Sequence, residues 1–118
     1  MSDAKPTVDK ETTFDKLEIR LGRVLSVELE PTAPKKSYKL IVDYGKYGRR
    51  TSVGRFTNHT PEELKNKLVM GVLNFEPRQI GETVSDALIL GVQIPGLDSG
   101  EATIITPLFE AKIGSKLF

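Results

Sequence analysis

The sequence predicts an all-β protein built as a small closed barrel. Apolar segments of strand length follow one another at intervals of roughly 10 to 15 residues, and Gly or Pro stands between most of them. Only one short stretch, beginning at Thr60, carries the signals of a helix start. Evenly spaced short strands with turn residues between them are typical of barrels and sandwiches. We therefore expect a five-stranded Greek-key barrel with one short helix and extensions at both ends, and a split sandwich as the second choice.

Length and composition exclude several classes of function. The 118 residues suffice for one core, so we expect one domain over residues 14–118 after a flexible polar arm over residues 1–13. Cysteine is absent and His59 is the single histidine, so neither a thiolate metal site nor a catalytic triad is expected. There is no apolar run of about 18 residues and no signal-peptide pattern at Met1. We expect a cytoplasmic, non-catalytic protein that needs no cofactor or metal and does not insert into membranes.

A long, bent strand is predicted over residues 19–30, after a short helical turn over residues 15–17 that Thr13 would cap. Alternation places an apolar set on one face and a polar set on the other. The apolar set is Leu21, Leu25, Val27 and Leu29, and the polar set is Arg20, Ser26, Glu28 and Glu30. Gly22, followed by an Arg-Val pair out of phase, predicts a bulge or bend early in the strand.

Two further strands follow a loop with two prolines, residues 31–36. Strict alternation predicts a half-buried strand in which the residues that point inward are Tyr38, Leu40, Val42 and Tyr44. Residues 45–48 have the composition of a hairpin turn, and residues 49–56 are expected to pair back as the third strand. Thr60 then caps a short helix that has Pro61 at its first position and ends near Lys67.

Two apolar runs, residues 68–75 and 87–92, lack alternation and are predicted as buried strands. The chain must leave the barrel between them, because Pro77 has no amide hydrogen and Gly81 permits a turn. We expect residues 76–86 to form a polar connector outside the barrel. One more strand is predicted over residues 102–106, followed by a C-terminal tail. This order of elements fits a Greek-key barrel of the OB type.

Arg78 is the candidate ligand-binding residue on this connector. It is the one cation held between the two buried strands. A rigidly mounted guanidinium near the amide of Asn74 and the hydroxyl of Ser85 can contact phosphates or base edges. On residue types alone, the alternative is an ordinary strand connection with solvated polar side chains.

The charges are unevenly distributed, although the net charge is only +1. Residues 35–55 carry a net charge of +6, whereas residues 1–34 carry −2 and residues 56–118 carry −3. A basic segment in an acidic chain can attract a polyanion, and the alternative is a solvated strand surface. The candidate phosphate contacts are Lys35, Lys36, Lys39, Arg49, Arg50 and Arg55. Three aromatic residues near these cations either stack on unpaired bases or pack in the core; they are Tyr38, Tyr44 and Phe56.

Four sequence blocks resemble the tRNA-binding domain of the EMAP-II type. The blocks are Phe14 with Glu18-Ile19-Arg20-Leu21-Gly22; Tyr38-Lys39-Leu40 with Val42-Asp43 and Gly45; Pro61-Glu62-Glu63-Leu64 with Lys67 and Val69; and Asn74-Phe75 with Pro77-Arg78, Ser85, Leu88 and Leu90. They span nearly the whole chain. The small free-standing version of the domain, described as an export-related chaperone, is the most similar. The chain departs from the family pattern at Asp86, because tRNA-binding members usually carry a neutral residue after the serine. An acid at this position weakens the attraction for phosphates.

The resemblance implies an OB-fold homodimer without catalytic activity that binds tRNA or other structured RNA. The positions that it assigns to the RNA are Asn74, Pro77, Arg78, Ser85, Leu88 and, on the neighbouring strand, Ser52. Dimer contacts are expected around residues 14–17 and beyond Gly96. The alternative function is a chaperone that holds unfolded or precursor polypeptides in the same grooves. A basic path to Arg78 favours RNA, whereas an apolar groove lined by Phe75, Ile80 and Leu88 favours polypeptides.

Overall fold

Five antiparallel strands form a nearly closed barrel in the computed structural model, which describes residues 3–98 and 100–118. The strands in chain order are β1 (Ile19–Leu29), β2 (Tyr38–Asp43), β3 (Arg49–Gly54), β4 (Leu68–Val72), β5 (Arg78–Ile80), β6 (Thr83–Ser85), β7 (Leu88–Ile89), β8 (Gly91–Gln93) and β9 (Ala102–Ile104). The barrel order is β3-β2-β1-β4-β7. β5 pairs with β6, and β8 with β9, in separate two-stranded ribbons. The predicted fold class, an all-β barrel of the OB type with little helix, is confirmed.

The barrel interior is filled by side chains from β1, β2, β4 and β7, from the short helix at residues 61–64 and from connecting segments. The buried members are Val24, Tyr38, Leu40, Val42, Tyr44, Phe56, Leu64, Val69, Leu73, Ala87 and Ile89. The predicted inward face of the second strand is confirmed, because every second residue from Tyr38 to Tyr44 is buried. Burial of each large apolar side chain contributes roughly 1.5 to 3 kcal/mol, so this cluster is the main source of stability.

A second apolar cluster lies on the outer face of β1 and β4. Its buried members are Ile19, Leu21, Leu68, Met70 and Val72. Side chains from both chain extensions cover it, namely Phe14 and Leu17 from the N-terminal side and Ile113 and Leu117 from the tail. Backbone hydrogen bonds tie the tail to β1, from Leu21 N to Ser115 O (2.9 Å) and from Leu117 N to Ile19 O (3.1 Å). Both extensions therefore pack on the barrel.

β1 changes register at Leu25, later than the bend predicted near Gly22. Its pairing with β2 shifts between Val24 and Ser26. The prediction of one apolar face from Leu21 to Leu29 is wrong, because Leu21 belongs to the outer cluster whereas Val27 packs against the interior. An extra residue in one strand moves the side chains that follow it to the opposite face. Gly22 has another role, since the ring of Tyr44 leaves no room for a Cβ there.

The connector between β4 and β7 folds into a β-hairpin that the sequence did not predict. β5 and β6 pair in the register Arg78↔Ser85 and Ile80↔Thr83, and Gly81 in the turn has a φ of 60°. The second apolar run was predicted as one buried strand over residues 87–92, and this is wrong. The run leaves the barrel after β7, and β8 is exposed and pairs with β9 instead. A Cβ at Gly91 would come within 2.9 Å of Phe56, so glycine permits this crossing.

The helical elements are short. Pro61–Leu64 forms helix α1, and Thr60 and Glu63 make the reciprocal hydrogen bonds of a capping box. The prediction of its start is confirmed, but α1 ends three residues before Lys67. A 3₁₀ turn spans Phe14–Lys16, and its predicted cap is wrong: the Thr13 hydroxyl donates to Asp9 O at 2.6 Å instead. In the part of the chain that the structure describes, no helix is long and apolar enough to cross a membrane.

Candidate functional site

The β5–β6 hairpin presents Arg78 at the protein surface. The residue is exposed, and within residues 3–98 and 100–118 no carboxylate forms an ion pair with its guanidinium. Pro77 precedes it and is also exposed. The cation is therefore open to an external anion. The sequence predicted an accessible Arg78 on this connector, and the structure leaves Arg78 exposed, although the hairpin that carries it was not expected.

Arg78 lies between two concavities that share Val53 and Ile80. The first has a volume of about 240 Å³, and its apolar wall includes Phe75, Ala87 and Leu88. Phe75 is 50% exposed and Leu88 is 48% exposed, so this apolar wall is accessible from outside. An apolar surface next to a free guanidinium can accept either an unstacked base or an apolar side chain.

The second concavity is lined by Lys35 together with Gln79 and the backbone at Gly81. Arg55 also lines it, but its charge is paired with Glu101. Lys35 is exposed and comes from the proline-rich loop between β1 and β2. Arg78 and Lys35 are therefore the accessible cations of the groove, and Glu76 and Asp86 line its first concavity beside the apolar wall. A polyanion with flat apolar groups matches both the cations and the apolar wall, because its phosphates and its bases have different preferences.

Ser85 and Asp86 fix the base of the hairpin to β3 and help to close the barrel. The Ser85 hydroxyl accepts a hydrogen bond from Val53 N at 3.0 Å and donates to Ala87 O at 3.3 Å. Asp86 Oδ1 accepts from Thr51 N at 2.8 Å, and Asp86 N donates to Thr51 O at 2.9 Å. The Asp86 departure noted in the sequence thus has a structural function, and the polar atoms of Ser85 are engaged within the protein.

Asn74 also has internal partners at both ends of its amide. Its Oδ1 accepts from Glu18 N at 2.8 Å, and its Nδ2 donates to Lys16 O at 2.8 Å. These bonds hold the N-terminal 3₁₀ turn against the end of β4. Contact between Asn74 and a ligand stays a prediction, whereas its bridge to the N-terminal segment is visible in the structure.

Three of the predicted contact residues are directed into the protein. Ser52 is 2% exposed because it lies opposite the buried Leu40 in the register of β2 and β3. The Arg50 guanidinium donates to Leu73 O at 3.1 Å, and Arg55 lies 3.1 Å from Glu101 Oε1 in a largely buried ion pair. Cross-strand neighbours share a face, so these positions are fixed by the barrel and not by a ligand. We leave all three out of the contact surface.

The remaining predicted basic contacts are more accessible. Arg49 is exposed at the start of β3. Lys39 lies on the outer face of β2, where its Nζ is 3.9 Å from Glu28 Oε1. The three aromatic residues that were candidates for base stacking are buried and pack in the core. Phe75 is the exposed aromatic residue beside Arg78. The sequence placed Phe75 at the end of the predicted buried strand 68–75, but β4 ends at Val72.

Burial and hydrogen bonds shift the pKa of several side chains. Burial raises the pKa of the Tyr44 hydroxyl far above its ordinary range, and burial also raises the pKa of Tyr38. Hydrogen bonds from Thr32 and Thr83 hold the pKa of Glu30 below its ordinary value of 4.5. Among the described residues, no group of three or more His, Cys, Asp or Glu side chains is placed to hold a metal ion.

The fold and this groove together define a small β-barrel binding module of the OB type. Residues 19–116 match the family model described as "Putative tRNA binding domain", so the chain belongs to this tRNA-binding domain family.

Two solved structures and one curated relative illustrate the similarity. The CsaA chaperone protein from Picrophilus torridus has 30% sequence identity and a TM-score of 0.83, over 94% of this chain and 100% of that one. The MetRS related protein from Pyrococcus horikoshii has 26% identity and a TM-score of 0.82, over 97% and 100%. The methionine–tRNA ligase of Archaeoglobus fulgidus is 36% identical over 104 residues, which are 88% of this chain and 15% of the ligase. The chain thus spans only a small part of the curated ligases that it matches.

Proposed function

We propose that this protein binds tRNA or another structured RNA through the groove around Arg78, without performing a reaction. The observation that carries the proposal is an exposed Arg78 guanidinium that forms no ion pair within residues 3–98 and 100–118, between a concavity with an apolar wall and one that Lys35 lines. Membership of a tRNA-binding domain family supports it, as does similarity to ligases whose names give tRNA as a substrate. The family and the groove are both concerned with binding, so we propose no catalytic function.

The groove suggests how RNA is engaged. Arg78 and Lys35 contact phosphates, and Arg49 and Lys39 add nonspecific attraction along the basic strands. Phe75 and Leu88 form the apolar wall, against which an unstacked base packs. Structured RNA supplies such bases in its loops, and regular duplex RNA does not. We therefore propose that the protein recognises loops and backbone shape more than base sequence.

We propose that the protein acts as a homodimer through its C-terminal side. Leu108 is 93% exposed, Phe109 is 81% exposed and Phe118 is 98% exposed, on a tail whose neighbouring residues pack on β1. Large apolar side chains that protrude together are typical of an association surface. Two protomers related by a two-fold axis would each present one groove. The binding domain comprises residues 14–118, with residues 1–13 as a polar arm.

A double substitution tests the dimer without removing the tail. Leu108→Ser with Phe109→Ser should convert dimers to monomers while the melting temperature of the monomer stays close to that of wild type, because neither side chain is packed in the protomer. Light scattering coupled to size exclusion gives the mass. A variant that keeps the wild-type dimer mass would exclude this surface. Leu29→Ser, a substitution of an exposed leucine (56% exposed) on the barrel, is the control.

The second candidate function is a chaperone that holds unfolded or precursor polypeptides and is related to export. It is favoured by the exposed apolar side chains at the groove and by similarity to proteins described as CsaA chaperones. Apolar peptide side chains would occupy the end of the groove lined by Phe75, Ile80 and Leu88. Arg78 would then bind the peptide carboxylates or carbonyls.

Arg78→Ala tests the RNA function directly. We expect a loss of about 1 to 3 kcal/mol in tRNA affinity, measured by filter binding at several salt concentrations, with an unchanged circular dichroism spectrum. Lys65→Ala, at an exposed lysine just after α1, is the matched control and should bind tRNA nearly as wild type does. Equal affinities of Arg78→Ala and wild type would reject the proposal. Competition between tRNA and an unfolded polypeptide then tests whether the groove binds polypeptides, as the second candidate function requires.

A further inference from the structure

Glu30 is a buried carboxylate directly after β1, and both of its oxygens accept hydrogen bonds within the protein. The residue is only 8% exposed, although alternation along β1 placed it on the solvent face. Its Oε2 accepts hydrogen bonds from the hydroxyl of Thr32 and from Thr32 N, the latter at 3.2 Å. Its Oε1 accepts from the hydroxyl of Thr83 on β6. One carboxylate therefore links the β1–β2 loop to the hairpin that carries Arg78.

Thr32 extends this link to the turn of the hairpin. Its Oγ1 accepts from Glu82 N at 2.8 Å. The backbone of Thr32 also lies so close to Gly81 that a Cβ at Gly81 would overlap it. We name these residues, Glu30, Thr32 and Thr83, the carboxylate clamp. The clamp holds the turn end of the hairpin, whereas Ser85 and Asp86 hold its base.

The hairpin needs such anchors because it is small. β5 and β6 are three residues each, and an isolated two-stranded ribbon of this size is not stable in water. Gln79 and Val84 are exposed, so the hairpin has little core of its own. Ile80 pairs directly with Thr83, the clamp residue on β6, and lines both concavities. Movement at Thr83 would therefore be transmitted to the groove and to Arg78, two residues before Ile80.

We propose that Glu30 is a positioning residue for ligand binding: through Thr32 and Thr83 it fixes the β5–β6 hairpin and thereby the position of the Arg78 guanidinium. The inference rests on the proposed RNA function and adds a residue that does not touch the RNA. The lowered pKa of Glu30 agrees with this role, because the carboxylate remains ionised at neutral pH and accepts all three hydrogen bonds.

The direction in which RNA affinity changes when Glu30 is substituted distinguishes a positioning role from a purely electrostatic one. Glu30 is buried close to the basic strands, and Lys39 is near enough to lower its pKa. If only charge mattered, removal of an acid here would strengthen RNA binding, because fewer negative charges would oppose the phosphates. If Glu30 positions the hairpin, the same substitution weakens binding, since the hairpin and Arg78 become mobile.

The test compares Glu30→Gln with Glu82→Gln in tRNA binding at neutral pH. Glu82 is exposed in the turn of the same hairpin, so its substitution removes one charge while the clamp remains. We expect about fivefold weaker binding for Glu30→Gln, which corresponds to one lost hydrogen bond of about 1 kcal/mol, and unchanged or tighter binding for Glu82→Gln. Hydrogen exchange of the amides of residues 78–85 should accelerate in Glu30→Gln, whereas β2 stays protected. Thr83→Val, which removes a single donor, replaces Glu30→Gln if that variant does not fold.

A double-variant cycle that combines Glu30→Gln with Arg78→Ala distinguishes an error in the positioning role from an error in the proposed RNA site. If Glu30 acts through Arg78, the double variant should bind tRNA no more weakly than Arg78→Ala alone. Additive losses would overturn the positioning role. Normal hairpin exchange in Glu30→Gln, or affinity as high as that of Glu82→Gln, would overturn it as well. If Arg78→Ala itself binds normally, the RNA site is wrong, and hairpin exchange in Glu30→Gln still decides whether the clamp fixes the hairpin.

Discussion

The barrel interior and the β5–β6 hairpin are held together in opposite ways. Tyr44 lies fully buried in the interior, packed against the backbones at Gly22 and Gly71 so closely that neither glycine has room for a Cβ. The hairpin has almost no core and is fixed by polar side chains at its two ends. Apolar packing thus determines whether the chain folds, and a few hydrogen bonds determine where the ligand-binding surface stands. Substitutions in the two regions should therefore change different measurements.

Substitution at Gly71 should give the largest loss of stability. In Gly71→Ala the new methyl would collide with the Tyr44 hydroxyl and come within 2.8 Å of Cζ of the ring. We expect a loss of about 3 kcal/mol or more in the free energy of unfolding, measured in urea, because a closed barrel has little room to relax.

Tyr44→Phe provides the matched control. Among the described residues, the Tyr44 hydroxyl has no hydrogen-bond partner, so its removal should leave stability unchanged or raise it. In the Gly71→Ala background the same change should restore part of the loss, since it removes the atom that collides. No recovery in the double variant would show that Tyr44 is not the obstacle.

Two adjacent arginines on β3 should have different roles: Arg50 in stability and Arg49 in the affinity for tRNA. Arg50→Ala leaves the carbonyls of Leu73 and Asp86 without this donor, and we expect a loss of about 1 to 3 kcal/mol in the free energy of unfolding. Arg49→Ala should leave stability nearly unchanged, because Arg49 is exposed. It should instead reduce the slope of log affinity for tRNA against log salt by about 1. A large loss of stability in Arg49→Ala would contradict this division.

Substitution of Phe75 should lower ligand affinity and leave the stability of the fold nearly unchanged. Phe75→Ala removes an aromatic side chain that is 50% exposed, so we expect a change of unfolding free energy within about 1 kcal/mol. If a base packs on the ring, tRNA affinity should fall by about 1 to 3 kcal/mol. Val84→Ala on the neighbouring β5–β6 hairpin, at a side chain that is 49% exposed, is the control for general loss of apolar surface. Equal tRNA binding by both variants would count against base stacking at Phe75.

The smallest expected effect concerns pH. The folded-state pKa of Glu30 lies below its ordinary value of 4.5, so folding favours the charged carboxylate. Its contribution is present above about pH 4.5 and is lost as the pH falls through the lowered pKa, because the unfolded chain then binds the proton more readily. Chemical denaturation between pH 6 and pH 3 should show a shallower decrease in stability for Glu30→Gln than for wild type, with Glu82→Gln close to wild type.

Much of the fold was predictable because local patterns coincide with the tertiary structure. The alternation from Tyr38 to Tyr44 is the inward face of β2, and the capping box at Thr60 begins α1. The predictions for β1 and for residues 87–92 were less accurate. A one-residue register shift at Leu25 and the crossing at Gly91 both depend on strands distant in sequence.

The candidate site shows the same division. Arg78 was predicted on residue type and on its position between two apolar runs, and the structure leaves it exposed. Arg50, Arg55 and Ser52 were predicted from a basic segment of sequence, but cross-strand pairing directs them inward. Glu30 was not predicted as part of any site, because its partners lie two residues away and on another strand.

The sequence by itself determined the all-β class, the inward face of β2 and the start of the helix, because each follows from residues that are neighbours in the chain. It also predicted that Arg78 lies on the segment that leaves the barrel. Only the tertiary structure decided that residues 78–85 form a hairpin, that Ser85 and Asp86 close the barrel and that Glu30 is buried in a clamp. These features depend on hydrogen bonds between groups that folding brings together from distant parts of the chain, and no local pattern of residues contains that information.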